Sequence, residues 1–244
     1  MYAQTPGSSR PESAPQAPLN LFLRSLSEES RKRLVSVSSR GSLEHHRTLY
    51  QPERTPEYAY FLDEGMASIV LGFGDGDSAE VGLTGREGVV GAFHLLGAGP
   101  NPTHALIQVP GRGLRVRFSE LQKLFFEAND VHNRILEFVQ YQYAIGMQVS
   151  ACNLLHEAEA RLARWLLMVA DRTGSDVLPL TQEFISQMLG TRRSTVTTVA
   201  GNMARAGVIE YWRGSVHILD RASLERSSCP CYDFTRRALA KLYQ

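Results

Sequence analysis

A run of arginine and hydroxyl side chains between residues 181 and 213 carries the chemistry that contacts nucleic acid. Arginine pairs with phosphate or with a guanine edge, and serine and threonine hydroxyls bind either. No Asp or Glu lies between Glu183 and Glu210, so a phosphate backbone meets no repulsion there. The pattern predicts a DNA-binding surface made by Thr181, Gln182, Arg192, Arg193, Ser194, Thr195, Thr197, Thr198 and Arg213.

Two short helices around a glycine would position these side chains. Thr181 and Ser194 are the expected N-caps of the first and second helix, and the small Ser186 lets the helices approach closely. A buried helical hairpin is the alternative, but it does not account for the missing carboxylates. The pattern therefore predicts a helix-turn-helix, with apolar residues at helical spacing before and after Gly190, at Phe184, Ile185, Met188 and Leu189, then Val196, Val199 and Met203.

A hairpin is expected directly after these helices. Following Gly207, the sequence VIEYWRGSVHILD places apolar residues on both sides of Arg213-Gly214, which is typical of a two-residue β-turn. The two features together predict a winged helix-turn-helix.

Length and composition indicate a globular chain with more than one domain. The 244 residues are 43% hydrophobic and 21% charged. This length and this share of hydrophobic residues are enough for two domains with their own hydrophobic cores. From His156 onward there are 12 Lys and Arg against 9 Asp and Glu, so the basic part is the one with the helix-turn-helix. No apolar run reaches the roughly 20 residues that span a bilayer, and no signal peptide is recognised. With only three cysteines, we expect a cytoplasmic protein with no membrane partner.

The N-terminal half changes from a polar tail to a strand-rich domain. Residues 1–18 are rich in Pro, Ser, Gln and Ala, which predicts a disordered tail. A short amphipathic helix is expected from Leu19 to about Leu34, with Ser27 as the expected cap of the segment SEESRKRL. From Gly41 to Phe118, short glycine-bounded runs favour an antiparallel β-roll or jelly roll, with turns at residues 63–65 and 74–77.

A long helix is predicted from about Val131 to Leu155, followed by a further helix over residues 157–172. At about 1.5 Å per residue the first would be roughly 37 Å long, more than a small β-roll covers. We therefore expect homodimerisation along a seam of positions spaced three and four residues apart, and packing on the chain's own second domain is the alternative. The seam consists of Ile135, Phe138, Gln142, Ile145, Val149 and Cys152.

The order of these elements resembles the Crp/Fnr superfamily of bacterial transcription regulators. The resemblance rests on the segments RLARWLL, LTQEFISQMLG and RRSTVT and on the wing, and it covers about Leu19 to Tyr232. It implies an α+β fold with an N-terminal antiparallel β-roll, a cyclic-nucleotide-binding-like jelly roll, as the sensor. The expected divisions are this sensor over 19–130, a dimerisation helix over 131–155, a winged helix-turn-helix over 156–232 and a C-terminal helix over 233–244.

The function implied is that of a homodimeric, sequence-specific DNA-binding regulator on a palindromic operator, with RNA polymerase as a candidate partner. On this resemblance Arg193, Ser194 and Thr198 face base edges. Ser194 stands where the best-known members carry glutamate, and Thr198 where they carry arginine. The preferred operator is therefore expected to differ from theirs.

The sensor departs further from the family pattern. Cyclic-nucleotide binders carry a Gly-Glu-Leu step and an Arg-Ser/Thr-Ala step, whereas this chain reads Gly91-Ala92-Phe93 and Thr103-His104-Ala105. The carboxylate and the phosphate-binding arginine are both missing, and an anionic phosphate buried without its guanidinium is costly. We expect no cyclic AMP binding in the usual way. The candidate pocket for an unidentified small-molecule effector is Gly91, Ala92, Phe93, Thr103 and His104.

No cofactor and no metal are expected. No cysteine precedes Cys152, which excludes the N-terminal iron–sulfur cluster of oxygen-sensing relatives. His94 and His104 are interpreted as structural rather than as haem ligands. Cys229-Pro230-Cys231 is compatible with a redox pair or part of a metal site, but without a matching His/Cys pair the two cysteines are interpreted as packing residues.

Two other functions stay open at this level. One is a constitutive DNA binder with a vestigial pocket, and the other is a ligand-sensing module that controls a protein partner. An enzyme is not expected, because the sequence has no nucleophile elbow, no zincin motif and no phosphate loop that opens a helix.

Overall fold

The computed structural model describes residues 20–73, 78–97, 99 and 101–244. The predicted tail over residues 1–18 and the predicted turn at 74–77 lie outside the described residues. The described chain has the predicted α+β architecture: two antiparallel sheets, a long helix, and a C-terminal domain with a helix-turn-helix and a small sheet. Within this part of the chain, none of the helices combines the length and the apolarity needed to cross a membrane.

Two short helices precede the sheets, α1 (Leu21–Ser25) and α2 (Glu28–Ser36). The single helix expected from Leu19 to about Leu34 is therefore interrupted. The interruption lies at the expected cap, because the Ser27 hydroxyl accepts a hydrogen bond from the Ser30 amide at 3.2 Å. This bond satisfies a free amide at the start of α2 and begins a new helix there.

Seven strands form the β-roll: β1 (Ser38–Leu43), β2 (Thr48–Tyr50), β3 (Tyr58–Leu62), β4 (Met66–Gly72), β5 (Ser78–Thr84), β6 (Thr103–Val109) and β7 (Gly111–Arg117). One sheet has the order β1-β7-β3 and the other the order β2-β6-β4-β5, with antiparallel pairing throughout. The predicted turn at residues 63–65 joins β3 to β4. Gly65 has φ 84°, and a Cβ there would lie 2.5 Å from the Val109 carbonyl oxygen, so only glycine fits.

Strand β3 is buried on both faces. Ala59 and Phe61 belong to the main core together with Phe22 of α1, whereas Tyr60 and Leu62 belong to a second apolar cluster. Successive side chains of a strand point to opposite faces, so β3 ties the two cores together.

The long helix α4 (Asn129–Leu155) follows α3 (Phe118–Glu127) and packs on α3 and β5. Its inward side carries all six residues expected to form the dimer seam. Five of them are buried within the chain, and Val149 is partly buried against the same core. The six side chains that were expected to face a second chain pack within their own chain: Ile135, Phe138, Gln142, Ile145, Val149 and Cys152.

Close contacts explain why this side of α4 turns inward. A Cβ on Gly88 would lie 2.1 Å from the Phe138 ring, so the glycine lets the helix settle on the β-roll. The Gln142 amide donates to the Leu83 carbonyl at 2.9 Å and lies 3.0 Å from the Thr84 hydroxyl. The polar residue in the apolar seam is thus satisfied by the β-roll and not by a partner helix.

The C-terminal domain contains α5 (Ala158–Thr173), β8 (Val177–Leu178), α6 (Gln182–Leu189), α7 (Arg193–Arg205), β9 (Ile209–Trp212), β10 (Ser215–Ile218), α8 (Arg221–Ser227) and α9 (Cys231–Lys241). Its three strands pair in the order β8-β10-β9. Val196, Ala200 and Met203 of α7 are buried together with Ile185 of α6, which holds the two helices of the helix-turn-helix together.

The C-terminal domain docks on the β-roll through a buried ion pair. Arg172 Nε of α5 lies 2.9 Å from Glu87 Oε1, and both side chains are at most 3% exposed. The same guanidinium donates to the Tyr141 hydroxyl of α4 at 2.9 Å, and the Tyr243 hydroxyl donates to the Glu87 carbonyl at 2.9 Å. These bonds fix the position of α5 relative to the β-roll.

Candidate DNA-binding surface and β-roll cavity

The turn between α6 and α7 is built around Gly190. Its backbone is left-handed, with φ 55°, a conformation that favours glycine. The Thr191 amide donates to the Ser186 carbonyl at 3.0 Å, which closes the end of α6. The predicted turn at Gly190 is therefore present in the structure.

The caps of the two helices follow the prediction in one case and not in the other. The Thr181 hydroxyl accepts a hydrogen bond from the Phe184 amide at 3.2 Å and caps α6 as expected. Ser194 does not cap α7, because the helix begins at Arg193, two residues earlier than a Ser194 cap implies, and Arg192 occupies the cap position. Ser194 is therefore a first-turn residue whose hydroxyl stays exposed to solvent.

The outer side of α7 presents the predicted DNA-contacting residues. No acidic residue interrupts this side, and the buried side of the helix faces α6. The wing's Arg213 and the cap residue Thr181 are exposed too, whereas Thr195 and Gln182 are half-buried. Five of the predicted residues on α7 and its cap are exposed, namely Arg192, Arg193, Ser194, Thr197 and Thr198.

Two hydroxyls on this side are oriented by the protein itself. The Thr197 hydroxyl lies 2.9 Å from Gln182 Oε1 and 3.0 Å from the Arg193 carbonyl, so with one hydrogen it donates to one acceptor at a time. The Thr198 hydroxyl donates to the Ser194 carbonyl at 3.0 Å. Each oxygen keeps a lone pair for an incoming donor, such as a base amino group.

An ion pair that was not predicted lies beside these hydroxyls. Glu183 Oε2 lies 3.6 Å from Arg193 Nη1, and the two side chains are 62% and 68% exposed. An exposed pair of this kind contributes about 0–1 kcal/mol. Glu183 therefore orients Arg193 weakly and can release it to a nucleic acid. The ten-residue separation of the two residues gave no sequence signal for the pair.

The wing is the hairpin of β9 and β10, turned where predicted. Arg213 and Gly214 both have positive φ, 47° and 80°, as in a type I′ turn. The Arg213 guanidinium lies 4.6 Å from the centre of the Trp212 ring, and the tryptophan is 56% exposed. Trp212 was not predicted as a site residue, and its exposure beside an arginine makes it a candidate contact to a nucleic-acid backbone.

A cavity of about 460 Å³ opens into the β-roll beside α4. Its size is in the range of small-molecule sites. Most of the lining is apolar, and no lysine or arginine is among the described residues that line it. Four residues of the predicted pocket line the cavity, namely Gly91, Ala92, Phe93 and Thr103. His104 does not, because it follows Thr103 on β6 and adjacent strand residues face opposite sides.

One end of the cavity is polar. Asn101 Nδ2 lies 3.2 Å from His94 Nε2, and Asn101 Oδ1 accepts a hydrogen bond from the Thr103 hydroxyl at 2.6 Å. The Tyr50 hydroxyl lies 3.1 Å from the same threonine oxygen. Burial lowers the pKa of His94, which favours a neutral imidazole at this end of the cavity.

The outward side of α4 carries an apolar stripe as well, among exposed polar residues. Leu136, Tyr143, Met147 and Leu154 are between 42% and 86% exposed. Their spacings of seven, four and seven residues place them in one stripe along the helix, on the side opposite to the six inward residues. We call these four residues the outer stripe of α4.

The structure also assembles a cysteine and histidine cluster that the sequence did not reveal. Cys229 and Cys231 meet Cys152 and His156 at the end of α4, with all four ligand atoms within 4.8 Å of one another. Cys152-x3-His156 thus supplies the His/Cys pair that matches the two cysteines, and its spacing of four puts both residues on one side of a helical turn.

Comparisons with known proteins agree with this geometry. Residues 160–227 match the Crp-like helix-turn-helix domain. A crp/fnr-family regulator of Eubacterium rectale has a TM-score of 0.66 at 14% identity, covering 84% of this chain and 96% of that one. FixK2 of Bradyrhizobium japonicum has a TM-score of 0.66 at 18% identity, covering 79% of this chain and 98% of that one. A CRP-family regulator of Thermus thermophilus has a TM-score of 0.65 at 21% identity, covering 77% of this chain and 96% of that one. A comparison with curated proteins finds no match.

The C-terminal domain thus belongs to the winged helix-turn-helix class. Residues 160–227 are a Crp-like helix-turn-helix domain, and the fold of the described chain is similar to that of solved crp/fnr-family regulators.

Proposed function

We propose that the protein is a homodimeric, sequence-specific regulator that reads a palindromic operator with α7. The observation that carries the proposal is the outer side of α7, where two arginines and three hydroxyls are exposed and uninterrupted by acidic residues. Arg193 begins the helix, a position from which its side chain reaches a guanine edge in the major groove. Arg192 precedes the helix and reaches phosphate instead.

The dimer is proposed to form along the outer stripe of α4. The inward seam is occupied by the chain itself, whereas Leu136, Tyr143, Met147 and Leu154 form an exposed stripe with coiled-coil-like spacing. The helix has 27 residues, so it is about 40 Å long, ample for pairing two copies. A second copy of the same helix is the partner whose stripe matches in length and character. Two chains paired in this way carry two copies of α7.

The cavity is proposed to bind a neutral, largely apolar effector. Its described lining offers hydrogen-bond partners at the Tyr50 and Asn101 end but no cation for a phosphate. Phe138 and Gln142 of α4 form part of the wall. An occupant therefore touches the helix that we assign to dimerisation, which gives the ligand a physical route to the DNA-binding domains.

Selection of bound sequences from random duplex DNA with the full-length protein tests the proposal. The expected result is an inverted repeat whose half-site centres are about 34 Å, or one helical turn, apart. Enrichment of single, non-repeated sites contradicts the dimeric reading. Failure to enrich any sequence contradicts sequence-specific binding.

A further inference from the structure

Four metal-binding side chains converge where the long helix meets the DNA-binding domain. Cys152 lies in the last turn of α4 and His156 caps its end, while Cys229 and Cys231 flank Pro230 at the start of α9. The three cysteines are free and buried, and the histidine is half-buried. We propose that Cys152, His156, Cys229 and Cys231 bind one Zn²⁺ ion with tetrahedral Cys3His coordination.

The distances between the ligand atoms fit a single tetrahedral ion. Zinc–sulfur bonds of about 2.3 Å and zinc–nitrogen bonds of about 2.0–2.1 Å imply sulfur–sulfur separations of about 3.8 Å and sulfur–nitrogen separations of about 3.6 Å. Cys152 Sγ lies 3.4 Å from Cys229 Sγ, and Cys231 Sγ lies 3.6 Å from His156 Nδ1. All four atoms lie within 4.8 Å of one another, which suits one ion and not a larger cluster.

The chemical nature of the four ligands favours zinc. Three thiolates and one imidazole form a soft ligand set that favours zinc over magnesium or calcium. Four protein ligands also leave no coordination position open, as in structural rather than catalytic zinc sites. Binding releases the thiol protons, because the thiolate is the ligand.

Charge around the cluster supports the assignment. Zn²⁺ with three thiolates and a neutral imidazole carries a net charge of −1. The guanidinium of Arg164 is 2% exposed and interacts electrostatically with the sulfurs of Cys152 and Cys229. Within the described chain it forms no salt bridge with a carboxylate and donates only to Met168 Sδ, at 3.1 Å, leaving Nε without a partner. The buried Glu80 carboxyl also interacts electrostatically with Arg164, and an anionic metal centre would add countercharge beside this buried cation.

An outer contact orients one of the proposed ligands. The Gln148 amide of α4 donates to Cys231 Sγ at 3.1 Å. Hydrogen bonds to ligand sulfurs are a regular part of metal sites and tune their affinity.

The position of the ion would give it a structural role. Two ligands come from the end of α4 and two from the segment between α8 and α9, so the ion would connect the long helix to the C-terminus across the start of α5. Arg161 of α5 interacts electrostatically with Cys152 and Cys229 and donates to the Leu189 carbonyl at the end of α6. The ion therefore lies at a junction that affects the orientation of the helix-turn-helix.

Metal analysis of the full-length protein tests the proposal. The protein is purified with a reducing agent and without metal-affinity resin, and its metals are quantified by mass spectrometry. We expect one zinc per chain in the wild type and loss of zinc in Cys231→Ser. His45→Asn, which removes an exposed histidine far from the cluster in sequence, is the matched control and retains the ion.

Two measurements keep the test independent of how well a ligand variant folds. Metal-free wild type titrated with Co²⁺ should develop the thiolate charge-transfer and ligand-field bands of a tetrahedral site. Gln148→Ala should keep the ion but lower zinc affinity about 10- to 100-fold in competition with a chelator. Absence of the cobalt bands, with three freely reacting thiols, would overturn the site. Protein that, as purified with a reducing agent, contains no metal but a Cys152–Cys229 disulfide would overturn the assignment of zinc. Iron in place of zinc would overturn it as well.

Discussion

Trp165 Nε1 donates a hydrogen bond to Glu80 Oε1 at 2.9 Å, across the boundary between the DNA-binding domain and the β-roll. The other carboxylate oxygen accepts from the Ser68 hydroxyl at 2.8 Å. Burial raises the pKa of Glu80 to about 7, more than these hydrogen bonds and the nearby arginines lower it. The domain boundary thus contains a carboxyl group that titrates near neutral pH.

Glu80→Gln should make stability less dependent on pH. Because the folded pKa is raised from 4.5 to about 7, the contribution of Glu80 to stability is complete below about pH 4.5 and is lost as pH rises through 7. Glutamine keeps an acceptor for Trp165 and stays neutral. Urea unfolding followed by tryptophan fluorescence should show the variant to be more stable than the wild type at pH 8 and nearly equal at pH 5. An equal difference at both pH values would contradict this account.

Breaking the buried Arg172–Glu87 pair should destabilise the protein strongly. Arg172→Met leaves the Glu87 carboxylate buried without its cation, at an expected cost of about 3–5 kcal/mol in the free energy of unfolding. Glu64→Gln is the control, because the Arg112–Glu64 pair is about half exposed on both sides and should contribute about 1 kcal/mol or less. Urea denaturation at pH 7 measures both, and equal costs would show that the junction does not depend on the buried pair.

A charge in the outer stripe of α4 should separate the two chains. Met147→Glu places a carboxylate at an exposed apolar position that the proposed dimer buries, so we expect monomers and loss of operator binding together. Ser42→Glu, at an exposed position of β1, introduces the same charge away from the stripe and should leave the dimer intact. Sedimentation velocity decides the matter: a dimeric Met147→Glu protein would exclude the outer stripe as the interface.

Cyclic AMP and cyclic GMP should not bind the β-roll cavity. The described lining provides no lysine or arginine for the cyclic phosphate, and Ala92 and Thr103 stand where cyclic-nucleotide binders carry a carboxylate and an arginine. Titration calorimetry should give no binding heat, and either nucleotide should leave operator affinity unchanged. Stoichiometric binding in the micromolar range would show that another group carries the phosphate.

The helix-turn-helix and the wing were predictable because their signals are local. The Thr181 cap, the left-handed Gly190 and the Arg213-Gly214 turn each depend on neighbours within a few residues. The expected cap Ser194 lies two residues from the observed cap Arg192, which makes no side-chain capping hydrogen bond that a sequence pattern would show.

The face of α4 and the metal cluster were not predictable for a different reason. The helix has one apolar stripe through Phe138 and Ile145 and a second through Tyr143 and Met147. Spacing identifies each stripe but does not say which one the β-roll covers; that depends on Gly88, about 50 residues earlier. Likewise, the two halves of the Cys3His cluster are separated in sequence by an entire folded domain.

Operator binding by Arg193→Ala and Arg192→Ala tests the central claim that α7 reads DNA sequence. Fluorescence anisotropy is measured with the selected operator and a scrambled duplex at several salt concentrations. Arg193→Ala should weaken operator binding by about 1–3 kcal/mol per half-site, with little change on scrambled DNA. Arg192→Ala should weaken binding to both duplexes alike and reduce the salt dependence, because it removes a phosphate contact. Equal losses on both duplexes for Arg193→Ala would contradict the account and show that this arginine positions the protein without reading bases.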